Sequence, residues 1–101
     1  MQTEASLQLD SIVLSQGKLV VLAMNNPLRQ KMLALIHKDG QMMVTDLYQA
    51  LHIKQAIASH HLGILRRAKI VNTESSGNKV FYSLNYEKIK EVYVFAERLS
   101  N

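Results

Sequence analysis

Apolar residues recur at Leu9, Ile12, Val13, Leu19, Val20 and Ala23, a helical spacing that predicts a helix over residues 4–24, in two pieces if it breaks near Gly17. Leu19, Val20, Val21 and Leu22 make its second half apolar on more than one side. Such a surface needs cover, from a second subunit or from the chain's own core. Asn25, Asn26 and Pro27 stop this helix and start the next, since Asn26 can cap a new N-terminus and Pro27 at its first position loses no hydrogen bond. Leu28, Met32, Leu35 and Ile36 line one face of a helix over 27–38, which Asp39 and Gly40 end. Met42, Met43 and Val44 are too brief an apolar run for a helix and suit a single strand that joins a sheet. Thr45 is placed to cap a short helix from Asp46 to Leu51, with Asp46 at its positive end.

His52 and Ile53 separate that helix from a longer one, Lys54 to Ala68. At roughly 100° per residue, Ile57, Ala58, His61, Leu62, Ile64, Leu65 and Ala68 share an arc of about 160°. The opposite arc carries Gln55, Ala56, Ser59, His60, Gly63, Arg66 and Arg67. The first arc can pack on other helices. The second offers short or hydrogen-bonding side chains and then two arginines, which suits a helix lying in a DNA major groove as well as an ordinary amphipathic surface helix.

After Ala68 the period changes to 2. Val71–Ser75 and Lys79–Leu84 flank Ser76, Gly77 and Asn78, a hairpin turn supplied with its glycine, and Val80, Tyr82 and Leu84 share a face. Asn85 caps a last helix to about Ser100. It carries Tyr86, Ile89, Tyr93 and Ala96 on one stripe and Val92, Phe95 and Leu99 on the next. That is more apolar surface than a peripheral terminal helix leaves in water, so one stripe is expected against a second subunit. Two tightly joined helices followed by a hairpin make a winged helix-turn-helix. The expected fold is mainly α with a small antiparallel β-hairpin and about five helices. It is expected as one domain over 1–101, with the helix-turn-helix at 45–68, the wing at 71–84 and dimerisation helices at 4–24 and 85–100.

The chain has 101 residues, 48% of them hydrophobic, enough for one modest core. Its net charge of +4 matters for where it sits. Between Lys54 and Lys90 the basic side chains are Lys54, Arg66, Arg67, Lys69, Lys79, Lys88 and Lys90, against only Glu74 and Glu87. This local excess fits a partner bearing many negative charges, or simply a soluble basic surface. With no cysteine there is no disulfide, thiolate metal site or thiol switch. Lacking a leader-like start and any long apolar stretch, the chain is expected to be soluble, cytoplasmic and nucleoid-associated, without a membrane partner.

Four segments resemble the ArsR/SmtB-type bacterial repressors. AMNNPLRQKML, from Ala23 to Leu33, is similar to their "AL-x-x-P-x-R-x-x-I-L" helix opening, and TDLYQAL, from Thr45 to Leu51, to their support helix. QAIASHHLGILR, from Gln55 to Arg66, resembles "Q-S-x-V-S-x-H-L-x-x-L-R", and GNKVFYSL, from Gly77 to Leu84, resembles the wing ending. The resemblance runs in unbroken order over residues 17–84. It implies a homodimer through the first and last helices, with paired recognition helices reading a palindromic operator in double-stranded DNA.

Departures from that pattern carry information. Lys54 stands where the family has a capping Ser or Thr, so a cap worth about 1 kcal/mol is exchanged for a phosphate-seeking cation. Gly63 replaces a common basic residue, which costs helix stability of roughly 1 kcal/mol but allows close approach to a sugar-phosphate backbone. Lys69 replaces the usual glycine after the helix. The first strand of the wing carries Glu74, Ser75 and Ser76, with only Lys79 near the tip, so the wing is expected to add little affinity. Many relatives bind metal through cysteines near the support helix or an Asp/His and His/Glu set on the last helix. Here the first positions hold Met42, Met43 and Val44, and the last helix offers only Glu87, Glu91 and Glu97. Methionines could ligate copper(I), but a Met pair in an apolar strand suits core packing. His61 is expected in the core, donating to a backbone carbonyl, and His60 against DNA. His52 lies in a turn and His37 near a helix C-terminus, where positive charge is welcome. No metal, cofactor or enzymatic chemistry is expected, since no nucleophile elbow, phosphate loop, HExxH or carboxylate pair is present.

The reading is therefore a sequence-specific, dimeric transcriptional repressor. Gln55, Ala56, Ser59 and His60 would meet base edges, Gly63 would allow close approach, and Lys54, Arg66, Arg67 and Lys79 would neutralise phosphates. Leu9, Ile12, Leu19, Val20, Ile89, Val92, Tyr93, Phe95, Ala96 and Leu99 would form the dimer interface. The alternatives are a winged-helix protein-interaction module and a sensor of a small organic ligand held by Val21, Tyr86 and Tyr93.

Overall fold

The computed structural model describes residues 18–100, and in it the chain order is helix, helix, helix, helix, hairpin, helix. We label these α1 (residues 18–24), α2 (Pro27–Asp39), α3 (Val44–Leu51), α4 (Gln55–Arg67), β1 (Val71–Ser76), β2 (Lys79–Leu84) and α5 (Tyr86–Ser100). This is the winged helix expected from the pattern. The part of the expected first helix before residue 18, including Leu9 and Ile12, lies outside the described residues, as does the side chain of Leu99.

Local chemistry sets the boundaries. Oδ1 of Asn26 accepts from the Arg29 N–H at 3.0 Å, Pro27 occupies the first turn of α2, and His37 and Lys38 meet its negative end. Gly40, at φ 86°, donates its N–H to the Ile36 carbonyl at 2.7 Å and ends the helix. The expected strand at Met42–Val44 is shorter than its apolar run. Met42 alone pairs, exchanging hydrogen bonds of 2.9 and 2.8 Å with Tyr82. Met43 instead becomes the N-cap of α3, which begins at Val44, so Thr45 lies inside the helix rather than capping it. The reason is the Met43 carbonyl, which accepts from the Leu47 N–H at 3.2 Å and draws the start of the helix forward.

The α3 and α4 ends both close through a residue in the left-handed conformation, His52 at φ 55° and Lys69 at φ 64°. After α4, Lys69 donates to the Arg66 carbonyl at 2.9 Å and Ile70 to the Leu65 carbonyl at 3.0 Å, the two bonds of a Schellman motif. β1 and β2 pair antiparallel from Val71 opposite Leu84 to Ser76 opposite Lys79. Gly77 at φ 64° and Asn78 make the two-residue turn, so Ser76 belongs to the strand.

The core lies where α2, α3 and α4 meet the stem of the wing. Met32, Ile36, Leu47, Ala58, Leu65 and Ile70 have no exposed surface. Val20 and Ala23 close it from α1 and Val92 from α5. Val20 and Val92, expected at a subunit contact, are already buried within one chain, where they join the shared core. Leu19 (65% exposed), Leu22 (50%) and Tyr93 (65%) remain in solvent.

Candidate nucleic-acid interface

The recognition helix α4 is held by Ala58, Leu62 and Leu65, all buried and spaced so that they return to one side. This inner stripe is narrower than the expected arc. Ile57, expected on the packed arc, is 42% exposed. Gln55, Ala56, Ser59, His60, Arg66 and Arg67 are exposed together on the outer side, with Lys54 before them. Lys54 is the N-cap residue and makes no side-chain cap, so the first turn of α4 has no side-chain acceptor and its positive end faces outward.

Gly63 lies on the same side, half-buried beneath Arg67. A Cβ built there would stand 3.4 Å from an Arg67 Nη. The Arg67 side chain therefore folds back one turn, and its cation sits nearer the N-terminus of the helix than its own Cα. Lys79 is exposed at the wing tip beside the Gly77 turn. On α5, Lys88 is engaged by Glu91 at 3.4 Å, which removes it from the free basic surface.

His61 departs from the expectation. It is half-buried, and its Nδ1 meets an Arg29 Nη at 3.0 Å rather than a backbone carbonyl. A guanidinium only donates, so the imidazole must accept. Burial first, then the charges of Arg29 and His60, hold the His61 pKa below its ordinary 6.5. Arg29 was not among the residues singled out from the sequence, where it figures only in the helix-opening motif. Its role depends on three elements meeting in space, and no local signal carries that.

The last helix holds a further correction. Tyr86, expected beside Val21 and Tyr93, bonds through its hydroxyl to Nδ1 of His37 at 2.7 Å, with the rings edge to face. As the first residue of α5 it packs on the far end of α2. A groove of about 300 Å³ does lie between α1 and α5, lined by Val21, Met24, Asn25, Gln30, Val92 and Tyr93 among others. Among the described residues, no three His, Cys, Asp or Glu side chains gather as a metal site, and no helix is long and apolar enough to cross a membrane.

The comparisons with known proteins agree with this architecture. Residues 26–73 match the model of the bacterial regulatory proteins of the arsR family. The chain is 33% identical over 97 residues to the transcriptional activator HlyU of Vibrio cholerae, covering 94% of this chain and 89% of that one. It is 36% identical over 63 residues to the transcriptional repressor SdpR of Bacillus subtilis, covering 62% and 69%. The crystal structure of NolR from Sinorhizobium fredii superposes with a TM-score of 0.67 at 26% identity, covering 96% of this chain and 95% of that one. With its helix-turn-helix and wing in place, the chain belongs to the ArsR family and is a DNA-binding transcriptional regulator.

Proposed function

We propose that the protein is a homodimeric repressor that inserts two α4 helices into successive major grooves of an inverted-repeat operator and blocks transcription by occupying it. The carrying observation is α4 itself, whose inner stripe is fully buried while Gln55, Ala56, Ser59, His60, Arg66 and Arg67 face solvent together. Gln55 can pair with an adenine edge and Ala56 can touch a thymine methyl. Ser59 and His60 complete the base-facing set. Lys54, Arg66, Arg67 and Lys79 neutralise phosphates, and Gly63 lets the backbone come close.

The subunit contact is assigned to Leu19, Ile89, Tyr93, Phe95 and Ala96, with Leu9, Ile12 and Leu99 joining them from the chain ends. The exposed Leu19 and Tyr93 favour this assignment. Two recognition helices roughly 34 Å apart then meet one face of the duplex. The relatives named above include both an activator and a repressor. Repression is the reading that needs only occupancy of DNA, and it implies a cytoplasmic protein on the nucleoid.

Selection from random duplex DNA, followed by anisotropy across a salt series, tests the reading. An enriched inverted repeat with a steep salt slope is expected. Failure to enrich any sequence, with weak binding at every salt concentration, would move the function to protein interaction through the same polar face. A second reading, sensing of a small organic ligand, rests on the α1–α5 groove beside Val21 and Tyr93. A ligand-dependent change in operator affinity is its signature.

A further inference from the structure

Arg29 joins three elements. Its Nε donates to the Ala23 carbonyl, one Nη donates to the Leu22 carbonyl at 3.3 Å, and the other meets Nδ1 of His61 at 3.0 Å. From the first turn of α2, one guanidinium thus satisfies terminal carbonyls of α1 and reaches the flank of α4. Because arginine has only donors, the neutral imidazole must carry its proton on Nε2, a tautomer inferred from the partner. A second proton would turn the Nδ1 acceptor into a donor and set two cations 3.0 Å apart.

We propose that Arg29 is a positioning residue that holds α4 against the C-terminus of α1, and that protonation of His61 releases this hold and weakens operator binding. The inference rests on the DNA-binding role of α4 given above. Among the described residues, two charged or titratable groups reach His61, Arg29 from α2 and His60 from α4, whose ring lies edge-on at 5.4 Å. Among the described residues, α1 brings backbone carbonyls to the bridge, and these already accept from the guanidinium. Neither group is a carboxylate that would welcome an imidazolium, and burial opposes it as well. The release therefore reads as a loss of sequence-specific affinity, while binding to random DNA holds.

The test uses the full chain with labelled imidazoles, followed by NMR over about pH 8 to 5. In parallel, anisotropy is measured on the duplex enriched from random sequence and on an unrelated duplex. His61 is expected to be unprotonated at Nδ1 at neutral pH. On acidification, α4 and residue 22–24 amides should shift with the His61 midpoint, and affinity for the enriched duplex should fall by about tenfold. His61→Gln keeps an acceptor that cannot titrate and should flatten this loss. Specific affinity that stays level while His61 titrates would overturn the proposal, as would an Nδ1 proton at neutral pH. Binding to no duplex at any pH would instead refute the DNA reading. The bridge is then judged by the amides alone, and α4 amides that ignore the His61 titration would refute it.

Discussion

The side-chain amide of Asn85 donates to the main-chain oxygen of Lys69 at 2.9 Å, while its Oδ1 accepts from the Lys88 N–H at 3.2 Å. Its own N–H donates to the Ile70 carbonyl at 2.8 Å. One residue thus caps α5 and ties it to the end of the recognition helix. Asn85→Ala should lower stability by about 1–2 kcal/mol in urea unfolding. Asn85→Asp keeps the cap and loses the donor, so its loss should be smaller. Equal losses for the two would remove the cap from the account.

Lys69 occupies the left-handed position of the α4 Schellman motif at φ 64°, where a side chain is unfavourable. Lys69→Gly is expected to raise stability by about 1 kcal/mol, read as a higher denaturation midpoint at unchanged slope. A lower midpoint would mean that the Lys69 side chain contributes a contact larger than the backbone strain.

Stability should fall on mild acidification. The His61 pKa is lowered in the folded chain, so the unfolded chain binds the proton more readily. The contribution is fully present above the ordinary value of 6.5 and is lost as pH falls from there through the lowered folded value. His61→Gln should remove that part of the slope. An unchanged profile in the variant would assign the acid sensitivity elsewhere.

Gln55 and Arg67 should separate base reading from phosphate binding. Gln55→Ala is expected to cost about 1–3 kcal/mol on the selected operator and to relax preference at one base pair. Arg67→Ala should weaken selected and random duplexes alike and reduce the salt slope by about 1. Parallel losses on both duplexes for both variants would refute the division of roles.

Leu19→Glu and Tyr93→Glu introduce charge on the exposed apolar surface of α1 and α5. Sedimentation should report a shift from dimer to monomer, with operator affinity falling as half-sites are uncoupled. Dimers that persist in both variants would move the interface away from these helices.

The order of elements was legible because each is set by neighbours in sequence. Asn26 and Pro27 open α2, Gly40 closes it, Gly77 turns the hairpin and Asn85 caps α5. The outer face of α4 was legible for the same reason, since a period near 3.6 fixes which side chains share a side. Boundaries that depend on competition were less so. Thr45 is the better cap by chemistry, yet Met43 takes the position, its carbonyl accepting from Leu47 while Met42 before it is tied to Tyr82 of the wing.

The sequence by itself determined a winged helix with a polar, partly basic recognition helix, because caps, turns and hydrophobic period act over a few residues. Only the tertiary structure decided which apolar residues were left over. Val20 and Val92 find cover in their own chain, whereas Leu19 and Tyr93 do not, and periodicity cannot say how far a neighbouring element reaches. Packing also joined Arg29 to His61 across 32 positions of chain and moved Tyr86 to His37. Those pairings come from the crossing of α1, α2, α4 and α5, whose geometry is fixed by the shared core and by no local signal along the chain.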